Sequence, residues 1–251
     1  MTLPSVSSII GQTVSDVKSV LLSSIVGGNF AGNVTYKPSG GDALVKSGRS
    51  TIYISPGDEA FYAAVDTYLI DATWVPQTTW KNTTAAAQTN TAQYTTGLTV
   101  TAGSDITAAV GIAAAYDGLS ITMDASVKTF ADYETTDSME KVVMLDVPPL
   151  STVTFYQRKY RFRDTMFFIL DAWNAEWNAG SWGGYDITRK DCAVEIMSED
   201  YLTTVIPLNG TTTGTMVVNT VSRAEQESAR VTRTRESLTE RAKEALDSIV
   251  V

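Results

Sequence analysis

The chain has 251 residues, 43% of them hydrophobic, which is enough to bury a sizeable core in one elongated domain or two small ones. Its formal charge of −9 excludes an overall nucleic-acid binder, because an acidic surface repels phosphate. The lack of histidine and the single cysteine, Cys192, exclude Ser-His and Cys-His nucleophiles and cysteine-rich metal clusters, so we expect no enzyme, cofactor or metal site.

The first part of the chain is predicted to mix helix and strand. Apolar residues between Leu3 and Ile25 recur at three- and four-residue steps before Gly27-Gly28, which predicts an amphipathic helix. This N-terminus lacks the basic segment of a secretory signal, so we expect the chain to be made in soluble form. Ser50–Ile54 is predicted to be a strand and Ala60–Leu69 a short helix that begins after a Ser-Pro-Gly start signal.

The composition changes at Thr78. Ten of the 24 residues from Thr78 to Thr101 are threonine, and charged residues are nearly absent. The branched threonine side chain suits a pleated surface, so we expect long strands here. A disordered low-complexity segment is the competing interpretation, but apolar alternation resumes around Tyr94 and favours the strands.

Between Ile106 and Val127, apolar residues alternate with small or polar ones on both sides of Asp117-Gly118, a strong signal for a two-residue hairpin turn. In a hairpin with this turn, Tyr116 lies opposite Leu119. One face of the hairpin then carries every apolar residue of the alternation: Ile106, Ala108, Val110, Ile112, Ala114, Tyr116, Leu119, Ile121, Met123, Ala125 and Val127.

Each arm of this predicted hairpin is about ten residues long, which matches the roughly 9–11 residues that a tilted strand needs to cross a bilayer. Backbone groups in lipid must all be paired, so such a hairpin spans a membrane only as part of a closed barrel built from several copies. Alternation alone favours a half-buried hairpin on a soluble core, because soluble antiparallel sheets have the same period.

Further strands are expected after the hairpin, over Val142–Val147, Thr152–Phe162, Met166–Ala172, Ala193–Met197 and, with a break near Asn209-Gly210, Thr203–Val221. Residues 223–248 are strongly charged with helical spacing, which predicts a terminal helix with a solvated face. This helix is either a permanent packing element or a cap removed by proteolysis, for which the candidate sites are Arg230, Arg233, Arg235 and Arg241.

Two clusters are candidate contact surfaces. Aromatic residues in a Gly- and Asn-rich segment either bind a glycan or lipid headgroups or pin the segment to the body; they are Trp173, Trp177, Trp182 and Tyr185. On one strand, a basic stripe for anionic headgroups or a plain solvated face consists of Lys159, Arg161 and Arg163, and the opposite face carries Tyr156, Tyr160 and Phe162.

The acidic residues near the hairpin lack the spacing of a calcium loop or an acid–base pair and are interpreted as polar loop residues. They are Glu134, Asp137, Glu140, Glu199 and Asp200. Cys192 is expected to be a small buried side chain.

A family resemblance comes from the segments around the hairpin. The strand KNTTAAAQTNTAQYTTGLTVTAGS (Lys81–Ser104) precedes it, Val147-Pro148-Pro149 follows it, and IPLNGTTTGTMVVNTVS (Ile206–Ser222) closes the β-region. This order resembles the aerolysin-type pore-forming family, in particular the branch with epsilon-toxin and the mosquitocidal toxins. In that family a threonine-rich strand leads into the insertion hairpin, V-P-P opens the next long strand, and a G-x-x-x-G segment ends the pore module.

The resemblance covers about Thr78 to Ser222 and implies a mainly β fold with an elongated antiparallel sheet, flanked here by N- and C-terminal helices. It divides the chain into a mixed region 1–77, a pore-forming module 78–222 and a charged helix 223–251. It also implies two partners: a lipid membrane, reached through a glycan or protein receptor, and further copies of the chain in a ring. The sequence departs from secreted members, because it shows no clear signal peptide and no separate lectin domain.

Two functions are therefore expected as alternatives. The leading one is a soluble pore-forming protein that acts at a target-cell membrane after release, oligomerises there and inserts residues 106–127. The alternative is a non-lytic binding, storage or self-assembling structural protein with the same β-rich fold. Leakage of dye from liposomes separates the two.

Overall fold

The described part of the protein is built mainly from β-strands. The computed structural model describes residues 33–54, 59–136, 138–172, 175–178, 189–205, 213–223, 239–247 and 249. In chain order its strands are β1 (Val34–Pro38), β2 (Ala43–Ile54), β3 (Glu59–Lys81), β4 (Gln88–Ala102), β5 (Ser120–Met123), β6 (Ser126–Thr129), β7 (Met139–Val147), β8 (Thr152–Ala172), β9 (Ala175–Asn178), β10 (Lys190–Thr204) and β11 (Thr213–Met216). Its helices are α1 (Ser104–Val110), α2 (Ile112–Tyr116), α3 (Asp132–Thr135) and α4 (Glu240–Asp247). The predicted mainly β fold is confirmed.

Nine of the described strands form one sheet in the order β11-β1-β3-β8-β10-β4-β7, with β2 also paired to β3 and β9 to β8. The described pairings are antiparallel except that of β1 with β11. The longest strands, β3 and β8, have 23 and 21 residues and lie side by side. A strand of this length extends over about 75 Å, so the sheet is elongated along its strands.

The helix predicted over Ala60–Leu69 is wrong, because these residues belong to β3. Strand β2 pairs with this stretch on one side and β8 on the other. Both faces of the strand are covered, as the burial of Phe61 and Ala64 illustrates. A strand covered on both faces appears in the sequence as a continuous apolar run, which periodicity alone does not distinguish from a short buried helix.

The threonine-rich stretch forms strands, as predicted. Its first residues complete β3, and β4 begins at Gln88. Alternate side chains along the middle of β4 are buried, so the threonines of the opposite face point to solvent. In the turn between the two strands, the Asn82 side-chain amide donates to the carbonyls of Ala86, Val147 and Pro148, which ties this turn to the Val-Pro-Pro motif.

Most other strand predictions are confirmed in position. Ser50–Ile54 ends β2, Val142–Val147 lies in β7, and Ala193–Met197 lies in β10. The two strands predicted between residues 152 and 172 are a single strand, β8. Within the predicted strand 203–221, the described residues form the end of β10 and the short strand β11.

The strand predicted over Ile106–Tyr116 is wrong for this structure, because these residues form α1 and α2. The stretch contains the alanines Ala108, Ala109, Ala113, Ala114 and Ala115, and alanine has the highest helix propensity of all residues. Gly111, at φ 68°, ends α1 in the left-handed conformation that commonly terminates helices.

Asp117-Gly118 does form a turn, but the turn joins α2 to β5 rather than two strands. The Leu119 amide donates to the Tyr116 carbonyl at 3.0 Å. The backbone angles of Asp117 (φ −59°, ψ 127°) and the positive φ of Gly118 (68°) are those of a type II turn. The predicted position of the turn is therefore correct, and its predicted role in a hairpin is wrong for this structure.

The hairpin in this structure lies further along the chain, where β5 and β6 pair around Asp124-Ala125. Both turn residues have positive φ, 46° and 70°, as a type I′ turn requires. In this register Lys128 is buried opposite Ile121, whereas Val127 is 61% exposed. The predicted apolar position of Val127 is therefore wrong here, because the Lys128 ammonium has a buried carboxylate partner, Glu134.

The main core lies between the sheet and the residues that connect β4 to β7. Aromatic side chains of the two layers meet edge-on, with the Phe130 ring 5.0 Å from Tyr160 and the Tyr116 ring 5.1 Å from Phe162. A smaller cluster at the threonine-rich end of the sheet surrounds Phe155. Helix α4 also packs against the main core through Ala242.

Two predictions are not tested by these residues. The N-terminal helix between Leu3 and Ile25 lies outside the described residues. The division of the chain at residues 77/78 and 222/223 stays a prediction, although residue 78 lies inside β3.

We expect Ala125→Gly to raise the free energy of unfolding by about 0.5–1 kcal/mol, because glycine adopts positive φ without the steric cost that alanine carries. Urea denaturation measures the change. Ala114→Gly in helix α2 is the matched control and should lower the same quantity by a similar amount. A loss of stability in the Ala125 variant would contradict the turn assignment.

Candidate functional site

An unusually long connection joins two neighbouring strands of the sheet. The chain leaves β4 at Ala102 and returns to its antiparallel partner β7 at Met139, after 36 residues. Connections between paired antiparallel strands usually have about two to five residues, and long ones are usually functional. We call residues 103–138 the β4–β7 connection; it contains α1, α2, the β5–β6 hairpin and α3.

The register of β4 and β7 bears directly on the predicted hairpin. The two strands pair without a slip from Gln88–Val147 to Thr96–Met139. The next two residues in this register, Gly97 and Ser138, are already adjacent, since a Cβ on Gly97 would lie 3.0 Å from the Ser138 Cα. Continued to its end, the same register closes on Asp117-Gly118.

The extended register reproduces the predicted hairpin pair by pair. It opposes Tyr116 to Leu119, Ile112 to Met123 and Ala108 to Val127, as the turn signal alone had suggested. It also puts the predicted apolar face on the side of the sheet that carries Ala92 and Tyr94, which are buried. Two independent observations, one from the sequence and one from the sheet, therefore lead to the same pairing.

In the described structure most of the predicted apolar face is already covered. The members at most 6% exposed are Val110, Ile112, Tyr116, Leu119, Ile121 and Met123. Ile106 packs against the same cluster. The remaining members, Ala108, Ala114, Ala125 and Val127, are exposed. The large side chains are thus in the protein core, and the exposed ones are small apart from Val127.

Tyr116 and Asp164 form a buried contact between the connection and the sheet. The Tyr116 hydroxyl donates to Asp164 Oδ2 at 2.8 Å, and the Thr67 hydroxyl donates to Oδ1 at 2.6 Å. Burial raises the pKa of Asp164, against the opposing effects of the two hydrogen bonds and of Lys46. Burial, together with the Asp164 charge, also raises the pKa of Tyr116, so its hydroxyl remains a donor at neutral pH.

A second polar contact centres on Lys128. Its ammonium donates to both oxygens of Glu134, at 3.0 and 3.2 Å, and to Asp200 on β10 at 3.3 Å. Glu134 is completely buried and also accepts hydrogen bonds from the amides of Ala131 and Glu199. This network attaches the β5–β6 hairpin and α3 to β10, and we call it the Lys128 latch.

The interpretation of Glu134, Glu199 and Asp200 as plain loop residues is therefore wrong. Glu134 lies in α3, Glu199 and Asp200 lie in β10, and Glu134 is fully buried. The missed signal is weak, because a lysine six residues before a glutamate does not by itself indicate burial. Only the shifted turn at Asp124-Ala125 turns Lys128 inward.

Helices α1 and α2 are held against the sheet more lightly. The Ser50 hydroxyl donates to the Val110 carbonyl at 2.5 Å, and the Lys46 ammonium donates to the Ala115 carbonyl. At the start of α1, Gly103 has φ 77° and packs on Cys192, whose Sγ would lie 2.6 Å from a Cβ at that position. Cys192 is buried, as predicted, and burial raises the pKa of its thiol to about 12.

Arg158 lies on the covered face of β8 and has no hydrogen-bond acceptor among the described residues. It is fully buried, and all three of its guanidinium nitrogens lack a partner in this part of the chain. Instead the guanidinium lies over the rings of Trp74, Tyr36 and Tyr160, at 4.8, 5.4 and 5.6 Å. Each such contact contributes about 0.5–2 kcal/mol, whereas burying an ion costs several kcal/mol.

The basic stripe of β8 has carboxylate partners within the chain. Lys159 pairs with Glu195, Arg161 with Asp71 and Arg163 with Asp42. The three side chains share one face, as predicted, and each is partly exposed beside its carboxylate partner, although Asp71 itself is buried. Sequence analysis missed Arg158, although a charged residue between Tyr156 and Tyr160 on the apolar face was an available signal.

The other predicted contact and cleavage residues are only partly described. Trp173, Trp182, Tyr185, Arg230, Arg233 and Arg235 lie outside the described residues, as does the side chain of Trp177. The Trp177 backbone pairs with Leu170 in the sheet. Arg241, on α4, lies over the Tyr53 ring at 5.5 Å, so the described part of the terminal helix packs beside β2.

The described residues hold neither a membrane-spanning helix nor a metal cluster. No helix there has both the length and the apolar character needed to span a membrane. In the same part of the chain, no three His, Cys, Asp or Glu side chains come together in an arrangement suited to a metal ion.

Comparison with known proteins gives one distant structural likeness. No family model and no curated protein matches the chain. A solved structure, that of the oligomeric pore-forming toxin pro-Monalysin, aligns with a TM-score of 0.35 and 13% sequence identity, over 69% of this chain and 75% of that one. A likeness at this level assigns no family, so a function has to follow from the residues of this chain.

We expect Glu134→Gln to lower the free energy of unfolding by about 3 kcal/mol, because it removes the charge that compensates a buried ammonium. Urea denaturation provides the measurement. Glu240→Gln is the control, since Glu240 pairs with Lys243 at the surface and its loss should cost less than about 0.5 kcal/mol. Equal effects of the two substitutions would contradict a latch at Lys128.

Asp164 gives a prediction about pH. Its folded-state pKa is raised, so its contribution to stability is complete below the ordinary aspartate pKa of about 4 and is lost as pH rises through the folded-state value. An asparagine side chain at this position does not titrate. We therefore expect the unfolding free energy of the wild type, relative to Asp164→Asn, to fall as the pH rises above the ordinary aspartate pKa of about 4. Urea titrations at increasing pH test it, and a constant or rising difference would contradict the burial of the charged carboxylate.

Proposed function

We propose that this protein perforates lipid membranes. In the proposed cycle the β4–β7 connection detaches from the sheet and extends β4 and β7 into one long hairpin. Hairpins from several copies then pair side by side into a closed barrel, which satisfies all backbone hydrogen bonds in lipid. The protein is released in soluble form and acts at a target membrane. We call the described arrangement the closed form and the proposed one the extended form.

The observation that carries the proposal is the shared register of the β4–β7 ladder and the predicted hairpin. Continued past Thr96 and Met139, the ladder gains twenty residues on each arm and ends at Asp117-Gly118. Twenty residues extend over about 65 Å, and the last ten suffice for the hydrocarbon layer. A slip of one residue would have scattered the apolar side chains over both faces.

The two faces of the extended hairpin suit lipid and water respectively. One face carries Ile112, Tyr116, Leu119 and the other members of the predicted apolar face. The opposite face carries Thr107, Gly111 and Ala113, which lie opposite Lys128, Asp124 and Thr122, together with Ala109 and Ala115. Between residues 106 and 128, charge outside the turn is thus confined to the face that would line the barrel, where transmembrane barrels are polar.

The energetic logic follows from burial. In the closed form the large apolar side chains are in the core, so exposing them to water is unfavourable by about 1.5–3 kcal/mol for each fully buried Leu, Ile or Met. The hydrocarbon layer of a membrane is as apolar as the protein core, so moving these side chains out of the core becomes favourable only at a membrane. The latch residues return to water or to the barrel interior, where ions are tolerated.

A non-lytic binding, storage or self-assembling protein is the alternative. It would use the closed form alone, which already covers most of the apolar face. Vesicle leakage distinguishes the two functions, because only the extended form makes a hole. The receptor role of the Trp173–Tyr185 segment and the cleavage of residues after 222 stay predictions within the pore-forming scheme.

A disulfide that locks the connection gives the sharpest test. Met123 and Val218 form an isolated antiparallel bridge, with the Asp124 amide bonded to the Val217 carbonyl and the Asn219 amide to that of Thr122. This pattern makes them a non-hydrogen-bonded pair, with Cα atoms about 4.5 Å apart, within the range of a disulfide. We expect the oxidised Met123→Cys, Val218→Cys double variant to release no dye from liposomes, and dithiothreitol to restore release to the wild-type level.

Each single-cysteine variant serves as a control and should leak dye with or without reductant. A second lock, Ser120→Cys with Thr129→Cys, fixes the β5–β6 pairing without attaching it to the sheet. It should also abolish release, because the extended form needs Ser120 opposite Ala115. Dye release that is unchanged in both oxidised double variants would contradict the hairpin assignment. A wild type that releases no dye would refute the proposed function.

A further inference from the structure

Residues 217–221 form a strap that lies beside β5 and is bonded to the sheet at both ends. Just before the strap, the Met216 carbonyl on β11 accepts a hydrogen bond from the Ser39 amide at 2.8 Å. Just after it, the Arg223 guanidinium donates to the buried carboxylate of Asp66 on β3 at 2.5 Å. The strap is therefore attached to the sheet on either side of its contact with the connection.

The strap pairs with β5 as a third strand, on the edge that β6 leaves open. The Asp124 amide, directly after β5, donates to the Val217 carbonyl at 2.8 Å, and the Asn219 amide donates to the Thr122 carbonyl at 3.1 Å. The Asp124 carboxylate also accepts a hydrogen bond from the Val217 amide at 2.8 Å. Backbone groups of successive strand residues point to alternate edges, so the even-numbered residues of β5 face the strap and the odd-numbered ones face β6.

The same edge of this segment has a different partner in the extended form. In a two-residue hairpin, the residues that flank the turn, here Tyr116 and Leu119, bond to each other through their backbones. The odd-numbered residues of the return arm then face the first arm. The even-numbered ones, which include Thr122 and Asp124, face outward, where a closed barrel requires the hairpin of a neighbouring copy. In the closed form the strap thus occupies the edge that a second copy needs.

We propose that the strap inhibits assembly by covering the edge of β5 that would otherwise bind a second copy of this chain. An uncovered strand edge is a template for pairing with another chain, and two strands cannot occupy one edge at once. A second copy therefore has to displace the strap before the barrel can form. This inference rests on the proposed function, because the extended form defines which edge meets the neighbour.

The competition between the strap and a second copy depends on concentration. The strap belongs to the same chain, so its effective concentration at β5 is fixed, and a second copy in dilute solution competes poorly with it. Copies that accumulate on a membrane surface reach a much higher local concentration and displace the strap there. The strap therefore restricts assembly to the membrane.

Asn219→Pro tests the strap, because proline lacks the amide that donates to Thr122. We expect the Asp124 amide to exchange with deuterium about three- to tenfold faster in this variant than in the wild type, the effect of losing one hydrogen bond. NMR follows this exchange in water, without liposomes. We also expect dye release from liposomes to become half-maximal at a protein concentration lower by a similar factor.

Thr220→Pro is the matched control, since the Thr220 amide donates to no backbone group of the described residues and proline is tolerated at such a strand position. It should match the wild type in both measurements. Phe155→Leu controls for a general loss of stability, because Phe155 is buried in the small cluster at the threonine-rich end, apart from the cluster that Val218 contacts. It should lower the melting temperature without lowering the protein concentration needed for release. Arg223→Gln frees the other end of the strap without a proline and should shift both measurements in the same direction as Asn219→Pro.

Two outcomes would overturn the inference. The first is equal exchange of the Asp124 amide in Asn219→Pro and Thr220→Pro, which would show that the strap does not cover β5. The second is faster exchange without easier dye release than in Thr220→Pro and Phe155→Leu, which would make the strap a packing element alone. A wild type that releases no dye refutes the proposed function and, with it, the role of the strap in assembly, whereas the exchange rates then still decide whether the strap covers β5.

Discussion

The large apolar side chains between residues 106 and 123 have to be kept from water, and the rest of the structure depends on how this is done. In the closed form the sheet covers them, with Tyr116 and Phe130 edge-on to aromatic rings of β8. The sheet reciprocally needs the connection, because the face with Tyr160 and Phe162 would otherwise be exposed. The sheet and the β4–β7 connection therefore each keep the apolar face of the other from water.

Polar contacts make this cover specific but add little net stability. The Lys128 latch and the Tyr116–Asp164 contact fix where the connection lies, yet their charges lose hydration when buried. Arg158 is the clearest case, since among the described residues its guanidinium contacts three aromatic rings and no hydrogen-bond acceptor. Such groups are stable in place but gain hydration when uncovered, so they lower the net cost of opening compared with an all-apolar interface. The described structure thus combines an apolar cover with buried polar groups that would gain hydration in the proposed opening.

The sequence predicts the sheet better than it predicts the conformation of the connection. Alternation around Asp117-Gly118 gave a pairing that agrees with the β4–β7 register, and the threonine-rich strands were found from composition. The same alternation could not show that Ala108–Ala115 are helical, because alanine is tolerated in both patterns. Lys128 and Arg158 were missed for a different reason: burial of a charge depends on partners such as Glu134, Trp74 and Tyr36, which are remote in sequence or come from other strands.

The unbroken register of β4 and β7 also limits how the chain can change in length. In the proposed extended form the two arms would be one ladder, so losing a single residue from either arm would send every later side chain of that arm to the opposite face. Under this proposal, lengthening would keep the pairing of the two arms only when both grow equally. Side-chain identity is much freer, because an apolar face accepts any residue of suitable hydrophobicity. In related chains we therefore expect the number of residues in each arm to vary less than the identity of those residues.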